Sequence, residues 1–152
     1  MKAFIVYPTY RIIDNKAYIY LFGKLDNGES FLSINLFRPY FWVKKEQLEN
    51  ALKIAEDVKI KAESGKEKTK NFEDEETAKI VLDIPGDVSI LRKALEEKSI
   101  VCYEADIRFV YRFMIDNNIK AITDIKGEYK KDNFVNRIYE NPKFEECKEY
   151  TP

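Results

Sequence analysis

Along the first 43 residues the apolar positions fall in runs rich in β-branched and aromatic residues, AFIVYPTYRII and AYIYLF, and in SFLSINLF, which alternates between apolar and polar. That is the signature of strands. DNK (residues 14–16) separates the first two as a turn, and DNGE (residues 26–29) separates the second from the third with an Asn-Gly pair that favours a tight hairpin. The pattern predicts a three-stranded antiparallel β-meander.

Beyond it, RPYFWV reads as a short strand that begins after a proline. The period then changes: in KKEQLENALKIAED, Leu48, Ala51, Leu52 and Ala55 fall on one face, which predicts a helix over 45–55. DVKIKAE puts Val58, Ile60 and Ala62 on one face of a strand. SGKEKTKNFEDEE reads as an exposed loop whose charge run is a solvated surface in preference to a docking site. TAKIVLDI alternates through Ala78, Ile80, Leu82 and Ile84. In PGDVSILRKALEEKS, Asp87 is the predicted N-cap, and Val88, Leu91 and Leu95 form the stripe of a helix over 88–97. IVCYEAD closes the series as a strand.

The order over 39–106 is thus β-α-β-β-α-β, a ferredoxin-like arrangement with both helices on one face of a four-stranded antiparallel sheet. The expected fold class is α+β: an N-terminal β-meander plus a ferredoxin-like βαββαβ unit. In 107–119, Phe109, Phe113 and Met114, or Ile107, Tyr111 and Ile115, recur at helical spacing. Residues 121–152 are more polar and weakly periodic, and read as a connector with a peripheral strand or two. The expected division is a domain over 1–120 and a connector over 121–152.

Composition narrows the chemistry. With 26 Lys and Arg against 27 Asp and Glu the formal net charge is −1, so any attraction to nucleic acid must come from local patches. There is no histidine, and the two cysteines, Cys102 and Cys147, share no metal-ligand spacing. A zinc site and His-based catalysis are disfavoured, and no cofactor is expected. No apolar run approaches the roughly 20 residues of a membrane-spanning helix, and the N-terminal run lacks the features of a signal peptide. The expectation is a cytoplasmic protein without a membrane partner. Single-strand binders of ferredoxin-like shape stack bases on exposed aromatics of the central strands; here Phe41 and Tyr103 are the candidates, without an RNP-type pattern.

The stretch YEADIRFVYRFMIDNNI has an ordinary reading as a strand and a helix packed on a core. It also resembles the pattern Y/F-E-Y-D-I-P-F-A-K-R-Y-L-I-D-K-G-L of the N-terminal domain of archaeal family B DNA polymerases. LDIPGDVSILRKALEE is similar to the H-P-Q-D-V-P-x-I-R segment of that family, LFRPYFWV to its F-x-P-Y-x-Y segment, and YRIIDNKAYIYLF to its first hairpin. The blocks agree in order and approximate spacing from Tyr10 to Ile119, interrupted by the helix and charged loop in the middle.

The resemblance implies a pocket that recognises deaminated template bases, chiefly uracil, and stalls synthesis. Carried over by residue, the template-binding site comprises Tyr10, Pro39, Tyr40, Pro85, Asp87, Val88, Ile107, Phe109 and Arg112. Gly86 stands where the family often has Gln, Arg108 replaces a proline, and Val110 and Tyr111 replace Ala and Lys. The exonuclease acid motif D-x-E, which the resemblance places soon after Pro152, and the aspartates that hold the polymerase metals are not among these blocks. The expectation is therefore a non-catalytic fragment whose partners are single-stranded template DNA and the exonuclease and polymerase domains of a longer, Mg2+-using chain.

The chemistry suits such a ligand. A flipped uracil offers a flat apolar face and a hydrogen-bonding edge, so its reader needs aromatic or aliphatic walls and backbone amides or carbonyls. Phe109, Tyr40, Pro39 and Val88 are candidate walls, and main-chain groups near Val88 and Ile107 candidate edge readers. Arg112 suits a phosphate contact, or equally an ion pair with Asp116 four residues on. Two other classes remain open: a free-standing ferredoxin-like binder of RNA or single-stranded DNA, and a small-molecule regulatory domain.

Overall fold

A computed structural model of the chain describes residues 1–70 and 75–147. In chain order the elements are β1 (Lys2–Ile13), β2 (Lys16–Leu25), β3 (Ser30–Leu36), β4 (Tyr40–Lys44), α1 (Leu48–Asp57), β5 (Ala62–Lys70), β6 (Glu76–Leu82), α2 (Pro85–Glu97), α3 (Phe109–Asp116), β7 (Ile122–Lys126), β8 (Tyr129–Lys131), β9 (Arg137–Glu140) and β10 (Lys143–Glu146). They form two compact units, Met1–Phe37 with the chain from Arg108 onward, and Arg38–Ile107.

In the first unit β1, β2 and β3 form the antiparallel meander that the β-branched and aromatic runs predict. Asp14 and Asn15 turn the first hairpin with φ of 50° and 59°, the paired left-handed geometry of a two-residue turn. At the second, the Gly28 amide donates to the Leu25 carbonyl (3.0 Å), and the Leu25 amide donates to the Glu29 carbonyl (2.8 Å). The Asn-Gly pair therefore closes a three-residue loop, with Gly28 in the left-handed position at φ 88°.

The segment expected as a connector contributes four strands to the same sheet. Its order is β10-β7-β1-β2-β3-β9-β8, antiparallel except where β9 runs parallel to β3. The inner face carries Ala17, Ile19 and Leu21 beneath Phe109 and Phe113 of α3, and continues through Ala3, Leu25, Phe31, Ile125 and Tyr139. Asn35, buried on this face, donates to the Ser33 hydroxyl (2.7 Å) and the Ile19 carbonyl (3.2 Å). A buried amide thereby keeps its hydrogen bonds.

The second unit has a three-stranded antiparallel sheet, order β4-β6-β5. Phe41, Val43, Ile80 and Leu82 point to one face and pack with Ala51 and Ala55 of α1 and Leu91 and Leu95 of α2, so both helices share that face. The fold is thus α+β with a mixed sheet, but the expected fourth strand over IVCYEAD does not form. Only Tyr103 pairs, through two backbone bonds to Trp42 (2.7 and 3.0 Å), and the chain turns at once, with Glu104 at φ 60°. Phe41 is fully buried, which removes it from any stacking surface. The third strand of the series starts later than expected, since Lys59 and Ile60 close α1, and it runs on from Ala62 through Lys70 as β5, so that the residues from Ser64 onward, expected as loop, are strand. Residues 71–74 of that expected loop and the C-terminal 148–152 lie outside the described residues.

All three α-helices end by one device. Lys59, Ser99 and Asn118 adopt φ near 60° (60°, 62° and 52°). The amides of Ile60, Ile100 and Ile119 then donate to the carbonyls of Ala55, Leu95 and Met114 (2.8, 2.9 and 2.8 Å), and the three isoleucines are buried. This is the Schellman pairing with its apolar contact, built without the usual glycine. It explains why α3 stops at Asp116, short of the expected 119, with Ile119 folded back onto the core.

Two stability predictions follow. In Ser99→Gly the left-handed residue loses its steric cost, so the urea midpoint should rise by an amount worth about 0.5–1 kcal/mol. Gly23 lies where β1 bulges, and a methyl there would overlap the Phe4 carbonyl oxygen and sit 2.7 Å from the Phe31 ring. Gly23→Ala should lower the urea midpoint by about 1–3 kcal/mol.

Candidate functional site

The nine candidate residues divide between the units: Tyr10, Phe109 and Arg112 in the first, and Pro39, Tyr40, Pro85, Asp87, Val88 and Ile107 in the second. In the first, Phe109 begins α3 after Arg108, whose extended backbone (φ −60°, ψ 137°) ends the preceding segment. The Tyr10 ring meets Phe109 edge-on (centroids 5.4 Å, 86°). Phe37 stacks on Phe109 from 5.4 Å at 27° and meets Phe113 at 5.1 Å. Arg112 is buried, with 8% of its surface exposed, and pairs with Asp116 at 3.6 Å. Of its two sequence readings, the ion pair is therefore present.

In the second unit Pro39 is buried, and its carbonyl accepts from the Leu82 amide at 2.9 Å, just before the chain enters α2. Asp87 is not the N-cap. Ile84 holds that position and Pro85 is the first helical residue, which suits proline because its missing N–H is one the first turn does not use. Asp87 sits in the first turn, where partial burial and then the neighbouring Asp83 raise its carboxyl pKa above the ordinary value. Val88 is half-buried against the helix-side core. Tyr40 lies on the other face of the sheet, where the Lys79 ammonium stands 4.0 Å from its ring centre and Trp42 meets it edge-on at 6.1 Å. Ile107 is half-buried on the segment leading into α3.

The structure thus gathers Tyr10 with Phe109, and Pro39 with the entry to α2, while Tyr40 and Val88 occupy opposite faces of the second sheet. Two neighbours had been passed over. Phe37, the stacking partner of Phe109, and Arg38 both stand in LFRPYFWV, next to the two residues chosen from it. Arg38 Nε donates to the Leu82 carbonyl (3.3 Å) and its Nη2 to Asp83 (3.1 Å), while Nη1 pairs with Glu63. That hydrogen bond, and then the charge of Arg38, hold the Glu63 carboxyl below its usual pKa. In sequence Arg38 lies between two strands, and only the fold brings it to the end of β6 and the start of α2.

Burial pushes the Cys102 thiol up to about 11, so it is a poor nucleophile at neutral pH. Among the described residues no group of three or more Cys, Asp or Glu side chains is arranged to hold a metal ion. Surface depressions of about 490 and 300 Å³ in the second unit, one beside the Lys44–Glu75 pair and one along α1, include none of the nine residues. No described helix is long and apolar enough to cross a membrane.

No protein-family model matches the chain. It is 36% identical over 141 residues to a DNA polymerase of Methanocaldococcus jannaschii, a match spanning 81% of this chain and 8% of that protein. It is 28% identical over 138 residues to DNA polymerase 3 of Saccharolobus solfataricus, spanning 86% of this chain and 18% of that one. The solved family B DNA polymerase from the hyperthermophilic archaeon Pyrobaculum calidifontis aligns with all of this chain at TM-score 0.84 and 25% identity, over 21% of its own length. With 36% and 28% identity to two DNA polymerases, a shared fold over its full length with a family B enzyme and a span of about a fifth or less of these relatives, the chain is homologous to a part of the family B DNA polymerases.

Proposed function

We propose that the chain is the N-terminal, template-reading domain of a family B DNA polymerase, which binds single-stranded template DNA and recognises a deaminated base, above all uracil, so that synthesis halts before the lesion is copied. The observation that carries this reading is the likeness to a solved family B polymerase over the whole chain. Polymerisation and proofreading, with their Mg2+ ions, belong in this reading to the rest of a longer cytoplasmic protein. The second unit is read as ferredoxin-like, with its fourth strand reduced to the Tyr103 bridge. The strands from β7 to β10 belong to the template-reading domain itself.

Local features support the roles. In the first unit Phe109, held by Tyr10 and Phe37, is a rigid apolar surface. In the second, Pro39, Val88 and Ile107 are aliphatic surfaces, and on the sheet face opposite Val88 Tyr40 offers a ring beside the Lys79 ammonium. The start of α2 has no capping side chain, and a Cβ at Gly86 would meet nothing within 4 Å, which leaves room for a base edge at the first-turn amides. Pro85 and Asp87 fix that turn. Arg112, through Asp116, steadies α3 beneath Phe109.

The test is competition between oligonucleotides that differ in one uracil against thymine. The wild-type chain should prefer uracil by about tenfold, the scale on which a closed wall rejects one methyl group. In Val88→Gln the longer side chain fills the pocket and its amide competes for the edge readers. The preference should vanish while the protein stays folded, at a cost of about 1 kcal/mol. A folded Val88→Gln protein with the wild-type ratio would exclude this pocket. For Arg112→Ala the urea midpoint should fall while the salt dependence of DNA binding stays unchanged. A loss of about 0.7 from the log–log salt slope would instead assign Arg112 to a phosphate.

A further inference from the structure

The outer face of the first sheet has no part in this scheme. Residues directly opposite one another on paired strands point to the same side. With Ala17, Ile19 and Leu21 turned to the core, the outward pairs of β1 and β2 are Phe4 with Lys24, Tyr7 with Phe22, Thr9 with Tyr20, Arg11 with Tyr18, and Ile13 with Lys16. Five of these ten residues are aromatic and three are cationic; none is acidic. The acids nearest in sequence, Asp14 and Asp26, lie in the turns at either end.

Three of the aromatics, Tyr7, Phe22 and Tyr20, form a contiguous row, in which Tyr20 is buried. Tyr7 and Phe22 lie 6.3 Å apart, Phe22 and Tyr20 6.4 Å apart, and the Arg11 guanidinium rests 5.1 Å from the centre of the Tyr20 ring. Tyr7 is 59% exposed, an unusual state for a ring on a central strand pair, and Arg11, Lys16 and Lys24 are exposed. None of these three cations forms an ion pair with a described residue, whereas Lys120, Lys126, Lys130, Lys143 and Arg137 of the same unit each meet a carboxylate. Beyond β7, which pairs only with Lys2, Ala3 and Phe4, the edge of β1 carries no further ladder.

Flat rings interleaved with uncompensated positive charge suit a ligand with π-faces and a regular negative backbone. A protein partner of apolar surface would leave the three cations unanswered, and a small anion would leave the rings unused. We propose that this face binds single-stranded nucleic acid, with bases stacking on Tyr7 and Phe22 and phosphates meeting Arg11, Lys16 and Lys24. It uses none of the nine residues of the base-sensing reading and does not rest on it.

The test is fluorescence anisotropy of the 152-residue chain with a thymidine homopolymer of about 16 nucleotides, a length that spans one sheet-sized site, at several salt concentrations. Tyr7→Ala should weaken binding about tenfold, and Tyr7→Phe, which keeps the ring, should leave it unchanged. The double variant Arg11→Gln, Lys24→Gln should lower the log–log salt slope by about 1.4, two single-strand phosphate contacts. Tyr7→Ala should leave the uracil-over-thymine ratio unchanged, so this surface can stand or fall apart from the pocket. Wild-type binding by both the Tyr7→Ala protein and the double variant would overturn the proposal. So would a Tyr7→Ala protein that loses self-association in sedimentation while keeping full DNA affinity, since that would mark the face as a contact between copies.

Discussion

The candidate site depends on how Phe109 is held. Its ring is fixed by the edge of Tyr10 and the plane of Phe37, and Phe37 also meets Phe113, which in turn meets Phe144 at 6.4 Å. Aromatic pairs of this geometry are worth about 0.5–1.5 kcal/mol each beyond the area they bury. The chain passes from one compact unit to the other at two points, after Phe37 and before Arg108. Because Phe37 stacks on Phe109, both exits from the first unit are tied to one aromatic cluster. The residues assigned to base recognition lie in sequence on either side of those exits, at Pro39 and Tyr40 and at Ile107 and Phe109. A cluster that keeps α3 from sliding therefore also holds both ends of the first unit from which the chain leaves.

Much of this was legible in the chain. The meander, the two helices of the second unit and their shared face follow from changes of period at residues 45 and 88, and the helix in FVYRFMID from its aromatic spacing. The failures have local causes. Strand propensity in IVCYEAD lost to backbone turns at Ser99 and Glu104, which carry no glycine to announce them. The charged stretch of β5 looked like loop because its pairing with β6 is held by backbone bonds and by the alkyl chain of Lys79 lying across Gly65, neither of which shows as an apolar pattern. The strands from 122 onward were undervalued because each is short and one pairs in parallel with a partner some hundred residues away.

The site was less legible than the fold. Resemblance supplied nine residues, but only spatial packing showed that Phe37 belongs with Phe109 and that Tyr40 and Val88 stand on different faces of a sheet. Near-zero net charge also hid a local separation. The outward faces of β1 and β2 hold cations without acids, while most lysines of the later strands are paired with carboxylates. A strand such as β2, apolar on both faces, buries one with Ala17, Ile19 and Leu21 and leaves the other, with Tyr18 and Phe22, partly open. Composition cannot distinguish those two faces; the register can.

The central claim is that this chain reads a template base with the segments around Pro39, Val88 and Phe109. Amide chemical shifts recorded while the chain is titrated with a single-stranded oligonucleotide carrying one uracil, and with its thymine counterpart, test it directly. The account predicts that the amides of Tyr40, Gly86 to Val88 and Ile107 to Phe109 move with the uracil strand and far less with the thymine strand. Equal movements with both strands, or none at these amides, would contradict it.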